Sequence, residues 1–402
     1  MAEFPVPSAP GGHDFGPVVG GTAEHAMLTP RSPRGSRRWW WVALGVVIVG
    51  LACAGIQWGA NVGYDEALVA FDDAVDQAEA GQAGLAEAAS SLTETMDSAA
   101  EVIAVRTDRL MDGESAAVLD DASAAAEQAA VDAAALADDA LPRAQEKPAW
   151  AWELFGAASQ LDEESADARA QTGAFDEARD GAQTAAAALD EAGVTAVLSA
   201  AGSASDFEAK HISARNPDII ALRRAAGALE GAVIMDATTV AAYTDLESAA
   251  AAMLSSETAE LAEKQGPLLQ ARTEIEAFAR ELAPGVLLDF DWSPLVNGYG
   301  YGDSMGGYAT WWYGDPGYST IKLSDSVAAY WPGDRSRALV AHEVGHAISV
   351  RCEGMYDDSD PDTIEAWATA WAISKGFTDD ANGTSAYGAP SQSLIDAAAG
   401  CR

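Results

Sequence analysis

Residues 338–351 read ALVAHEVGHAISVR, and within them His342 and His346 stand four apart with Glu343 directly after the first. The chain has five histidines, so the pairing concentrates a scarce residue. On a helix, side chains at i and i+4 project from one face. Two imidazoles spaced this way can take two corners of a metal coordination shell, while the carboxylate between them stands beside the ion. The chemistry in view is a metal-activated water whose proton passes to Glu343 as general base. Val340, Val344, Ala347 and Ile348 form an apolar stripe at helical spacing, and Asp334, after Pro332 and Gly333, is the expected N-cap. The motif is therefore expected on a helix.

A catalytic site of this kind needs a third protein ligand and one open position. No histidine follows His346, so the ligand is expected to be a carboxylate: Glu353, Asp357, Asp358, Asp360, Asp362 or Glu365. Glu353 comes too soon for the chain to turn back. Asp360 followed by Pro361 is a strong helix start, which puts Glu365 one turn inside a new helix. Ala368, Thr369 and Ala372 share its face and are small enough for that helix to press on the first, while Ile364, Trp367 and Trp371 supply an apolar stripe. Glu365 is the expected third ligand, and the loop aspartates are expected to be solvated or capping. Gly345, a poor helix former, is expected where a neighbouring element comes close.

"HEVGH" followed by "EAWA" resembles the zincin metallopeptidases, in particular the gluzincin group typified by thermolysin. The resemblance is tight only over these two motifs. It implies a zinc-dependent hydrolase with Zn²⁺ as cofactor, His342, His346 and Glu365 as ligands, Glu343 as general base, and a peptide or protein substrate. It also implies a β-sheet before the zinc helix with an edge strand that pairs with the substrate, a role that falls here to the segment "YSTIKLSD". Many such enzymes steady the oxyanion with a later histidine or tyrosine; here Tyr387 is the candidate, with Tyr356 the alternative. The longer H-E-x-x-H-x-x-G-x-x-H arrangement is absent, because Ser349 and Cys352 occupy the places of its glycine and last histidine.

Upstream elements must hold this segment. Residues 1–38 are rich in Pro, Gly and Ser and read as a disordered tail. Residues 39–58, WWWVALGVVIVGLACAGIQW, carry no charge and are about 30 Å long as a helix, enough to cross a bilayer. Tryptophans mark both ends. Arg31, Arg34, Arg37 and Arg38 precede the span and the next basic residue is Arg106, so the N-terminus is expected in the cytoplasm and everything beyond residue 58 outside. A cleaved signal peptide is the rival reading, set aside for want of a small-x-small cleavage site. In an oxidising compartment Cys352 and Cys401 are expected to pair; with the reverse topology they would stay free.

Residues 59–283 are Ala-rich and acidic. A three-four spacing through Leu68, Phe71, Val75, Ala78, Gln82, Leu85, Ala89, Leu92, Met96, Ala99, Ile103, Arg106 and Leu110 predicts a long helix in a bundle or coiled coil. Its partners are expected around 114–140, 160–192, 217–232, 236–265 and 267–282, and the same seam would allow self-association. His211 is expected to pack or face solvent. After "LAPG" the composition changes: "VLLDF" reads as a strand, and Tyr308–Tyr313 and Ser319–Leu323, separated by "GDPG", read as a hairpin.

The expected fold class is mostly α: a single N-terminal transmembrane helix, a long helical bundle or coiled-coil ectodomain, and a small α+β zincin-like domain over 284–402. The net charge of −39 argues against nucleic acid as a partner. The expected function is a membrane-anchored extracellular zinc metallopeptidase. Two rivals stand: a helical receptor or adhesion protein with a structural zinc, and a zinc amidase acting on cell-wall crosslinks through "GYGYGDSMGGYATWWYGDPGY".

Overall fold

The structure is a computed structural model that describes residues 38–314 and 317–402. The expected disordered tail, up to residue 37, and Asp315 and Pro316 of the expected hairpin turn lie outside the described residues. The chain divides into two compact units, Met1–Glu66 with Glu146–Ala158, and Ala67–Gln145 with Ser159–Arg402.

Helix α1 runs unbroken over Arg38–Val105, because nothing between the apolar span and the acidic region is a proline. Its N-terminal stretch is long and apolar enough to cross a membrane, and among the described residues nothing buries the most apolar window. Within this first unit, the cover begins at Gln57. Its amide donates to Ala149 O at 3.1 Å and accepts from Ala151 N–H at 2.9 Å, and Lys147 pairs with Asp65 at 2.5 Å.

In the second unit α1 packs with α2 (Gly113–Ala137), started by Asp112 accepting from the Glu114 and Ser115 amides, and α3 (Ala151–Lys210). Helix α3 is far longer than the expected 160–192. The observed seam corrects the expected one. Phe71, Ala78, Leu85, Leu92 and Ala99 are buried as expected, but the alternate positions are Ala67, Ala74, Ala88 and Val102, with Val75, Ala89, Met96 and Ile103 only partly covered. Where the adjacent residues differ, as at Ala67/Leu68, Ala74/Val75 and Val102/Ile103, the smaller one faces inward because it lets the helices approach. A Cβ on Gly81 would sit 3.4 Å from the Phe175 Cβ of α3. Gln82 and Arg106 thereby leave the seam: Gln82 donates to Ala137 O at 2.8 Å, and Arg106 pairs with Asp120 at 2.7 Å.

Helices α4 (Asn216–Leu229), α5 (Ala237–Glu263) and α6 (Leu269–Leu282) follow. His211 packs as expected, 2.6 Å from Glu257. The start of α4 meets a three-stranded sheet: Asn216 N–H donates to Asp289 at 3.0 Å and its amide to Ser319 O at 2.8 Å. Strands β1 (Leu287–Ser293), β2 (Gly307–Trp312) and β3 (Tyr318–Ser324) run in the order β1-β3-β2, with β1 parallel and β2 antiparallel to β3. The "YSTIKLSD" segment is thus the central strand, which corrects its expected place at the edge; the edge beside the motif helix is β2. Period-two alternation reports which faces of a strand are covered and is silent on whether both its hydrogen-bonding sides are taken.

After α7 (Asp325–Ala329) comes α8 (Asp334–Ile348), which carries the HEVGH motif. Its N-cap is Gly333, with Asp334 the first helical residue, one place from expectation; a carboxylate there still complements the helix dipole. Helix α9 (Pro361–Ser374) starts as expected, Asp360 accepting from Asp362 N–H at 3.1 Å. It is followed by α10 (Thr384–Tyr387) and α11 (Gln392–Ala398). Cys352 and Cys401 form a disulfide. A core of Phe290, Ile321, Leu323, Val340, Val344, Trp367 and Trp371, joined by Ile275 and Ala279 of α6, fixes α8 and α9 against the sheet. Burying each large side chain is worth about 1.5–3 kcal/mol.

Candidate metal centre

Helix α8 turns His342 and His346 to the same face, and α9 brings Glu365 to them. The three donor atoms form a nearly equilateral triangle: His342 Nε2 to His346 Nε2 is 3.2 Å, His342 Nε2 to Glu365 Oε2 is 3.1 Å, and His346 Nε2 to Glu365 Oε2 is 3.3 Å. Both histidines are buried. This group can hold a metal ion. The approach of the two helices depends on Gly345, where a Cβ would lie 2.8 Å from Ala368 O and 2.9 Å from Ala368 Cα on α9.

Each imidazole is oriented from behind. His342 Nδ1 lies 2.9 Å from Asn382 O, and a carbonyl only accepts, so Nδ1 carries a proton and Nε2 is the nitrogen left facing the centre. Gly383, at φ +104°, lets that segment reach the ring; a Cβ there would be 2.7 Å from His342 Nδ1. The His346 ring lies parallel to Trp311 of β2 with centroids 5.4 Å apart, and its Nδ1 finds no partner among the described residues.

The charge balance follows from this packing. Burial opposes ionisation of Glu365, yet hydrogen bonds from the two imidazoles outweigh it and hold the carboxyl well below the usual carboxylate range. Burial pulls His346 down. Burial also pulls on His342, but its hydrogen bond to Glu365 lifts it above the ordinary value. Glu343 does not join the triangle. Burial pushes its carboxyl up to about 7, against the pull of His342, which is the range that suits a general base at neutral pH. Its neighbour is Gly307 of β2, where a Cβ would overlap the Glu343 carboxyl carbon at 2.7 Å. A side chain at 307 would drive the carboxylate from its place.

A cavity of about 460 Å³ opens beside His342 and Glu343, walled by Met305, Arg335, Leu339 and Tyr387. Tyr387 stacks on His342 with centroids 5.8 Å apart and rings 11° from parallel. Burial, with the Glu365 and Glu343 charges, pushes its phenol up to about 12, so at neutral pH it is a hydrogen-bond donor. Arg335 ties this strap down through Asp380 at 2.7 Å. Tyr356 lies elsewhere, stacked on Trp367 at 4.7 Å. Asp357 and Asp360 cap local turns, and Asp358 accepts from Tyr313.

Among the residues expected from sequence, His342, Glu343, His346, Glu365 and Tyr387 come together here. Asn382, Trp311, Gly307 and Gly383 were not singled out. The Asn-Gly and Gly-Gly dipeptides at 382–383 and 306–307 were the available signals of close backbone approach. Glu365→Ala is expected to lower metal occupancy at least tenfold in a titration followed by elemental analysis, since it removes the one anionic corner. Undiminished occupancy would hand that corner to another carboxylate. No protein-family model, curated protein or solved structure matches the chain.

Proposed function

We propose that the chain is a membrane-anchored zinc metallopeptidase of the zincin type, hydrolysing peptide bonds outside the cell. The triangle of donor atoms carries this reading. Ligand bonds of 2.0–2.1 Å in a tetrahedron set neighbouring donors about 3.3 Å apart, and the three sides measure 3.1, 3.2 and 3.3 Å. Two imidazoles and one carboxylate are a donor set that suits zinc in hydrolases, and the adjoining cavity leaves the fourth position to water or substrate. The group takes in no fourth His, Cys, Asp or Glu among the described residues, which speaks against a closed structural site.

The chemistry zinc supplies when bound is Lewis acidity, acidifying a water and polarising a carbonyl. Glu343 accepts the water's proton and returns it to the leaving amine. Tyr387, protonated at neutral pH, donates to the developing oxyanion from the cavity wall. Edge strand β2 offers free backbone groups to an extended substrate beside the site. The arginines that precede the span support, by the positive-inside rule, an N-terminus in the cytoplasm and a site outside.

The test is digestion of a diverse peptide library by the full chain in detergent micelles. Cuts are expected that stop with a chelator and return with Zn²⁺; a zinc-loaded protein that cuts no peptide would retire the reading. One observation favours a second substrate class. Tyr299 and Tyr387 line the cavity and are both exposed, a pair of rings that suits stacking on a cell-wall crosslink. Hydrolysis of muropeptides with no cleavage in the library would select the amidase.

A further inference from the structure

The start of α3 carries two tryptophans that the metal site does not use. Trp150 and Trp152 stack with ring centroids 5.2 Å apart and planes 5° from parallel. They are 57 % and 69 % exposed, and Phe155 beside them is exposed too, whereas Phe175 and Phe207 further along α3 are buried. A surface of this kind in water is costly at roughly 25 cal/mol per Å² of apolar area.

Their position in the first unit says what covers them. Ala149 and Ala151, which alternate with the two tryptophans, are the residues hydrogen-bonded to Gln57. Gln57 stands at the outer end of the apolar span, beside Trp58, itself 72 % exposed. The side chains of α1 are bare up to this level, and the first buried one is Ala60. Trp150 and Trp152 therefore lie at the height where the span ends and the protein coat begins, which is the height of the headgroup layer if the span crosses a bilayer. Rings with an apolar body and an N–H at the rim favour that layer.

We infer that Trp150 and Trp152 form a second membrane contact, seating the foot of α3 in the outer headgroup region next to the span. The inference rests on residues 39–58 crossing the membrane. The contact is interfacial and not deeper, because exposed Glu153 adjoins Trp152 and a carboxylate belongs among headgroups, not in hydrocarbon. Lys147 points the other way along α1, paired with Asp65, eight residues or about 12 Å above Gln57. With α1 and α3 both seated, the first unit is held at the membrane by two helices and not by one.

The test uses the full chain with Cys53→Ser, in phosphatidylcholine vesicles, spin-labelled in turn at Val47→Cys, Trp152→Cys and Glu163→Cys. Accessibility to dissolved oxygen against a water-soluble nickel chelate reads depth. Position 47 is expected deep in hydrocarbon, position 163 in water, and position 152 at interfacial depth, with an oxygen-to-nickel ratio several-fold above that of 163. A ratio at 152 equal to that at 163, with 47 deep, overturns the inference and leaves the anchor standing. A label at 47 that reads as water overturns both. Trp150→Phe with Trp152→Phe gives a second measurement that keeps the rings. In vesicles of lipid brominated near the headgroup, the quenched part of the tryptophan fluorescence is expected to shrink in that variant; an unchanged quenched part sinks the inference.

Discussion

Glu343→Gln is expected to take up its metal as the wild type does and to lose hydrolysis by at least about 100-fold, the usual worth of a positioned general base. The amide has the same shape as the carboxyl, so it fits against Gly307, but it cannot accept the proton. Glu343 lies outside the donor triangle, which is why metal uptake is expected to be unaffected. Cleavage at the wild-type rate by the Gln protein would remove Glu343 from the mechanism. The same variant carries a second signature in the metal-free protein. Burial raises the folded pKa of Glu343 to about 7, above its unfolded value. Such a group contributes its stability below the unfolded pKa, and that contribution is lost as pH rises through the folded one. Replacing it with a neutral amide is therefore expected to leave stability near that of the wild type at pH 5 and to raise it by about 2–3 kcal/mol at pH 8. Thermal unfolding of both metal-free proteins at the two pH values checks the sign; a gain confined to pH 5 would contradict it.

The site was legible wherever its signals are local. Asp360 and Pro361 announce the start of α9 in two adjacent residues, and the start alone fixes which turn holds Glu365. His342 and His346 define their own helix. The Cys352–Cys401 disulfide is the pairing expected from the outward topology read in the sequence. Contacts that cross the fold left no such trace. Trp311 reaches His346 only because β2 takes the edge beside α8, and strand order is not written in alternation. Asn382 reaches His342 through a backbone carbonyl, a group every residue owns, so its type carried no information. The seam of α1 shows a third limit. The two heptad registers share Phe71, Ala78, Leu85 and Leu92, and among the residues that distinguish them are Ala74 or Val75, and Ala88 or Ala89. Hydropathy favours the larger member of the first pair and is blind to the second. Packing selects Ala74 over Val75 because close helices need small residues between them, and Ala88 then follows two heptads on in the same register.

That dependence on close approach is sharpest at Gly345, and Gly345→Val is expected to disable the centre without touching a ligand. The atoms a Cβ would meet, Ala368 O and Cα at 2.8 and 2.9 Å, belong to the α9 backbone and cannot swing aside as a flexible side chain would. Helix α9 must therefore move outward, and Glu365 sits on it one turn before Ala368. The triangle opens on its carboxylate side while His342 and His346, held on α8, stay paired. Overpacking of this kind costs about 1–3 kcal/mol of stability, and loss of ligand geometry is expected to weaken metal binding about 10–100-fold, as loss of supporting contacts does at such sites. Gly181→Ala is the control. Gly181 is also helical but meets nothing within 4 Å, so the added methyl is expected to stabilise by about 0.5–1 kcal/mol. Metal titration and thermal unfolding of the two variants separate the effects of helix propensity from those of helix spacing. Wild-type metal affinity in Gly345→Val would mean that Glu365 reaches the histidines by a path independent of the α8–α9 contact.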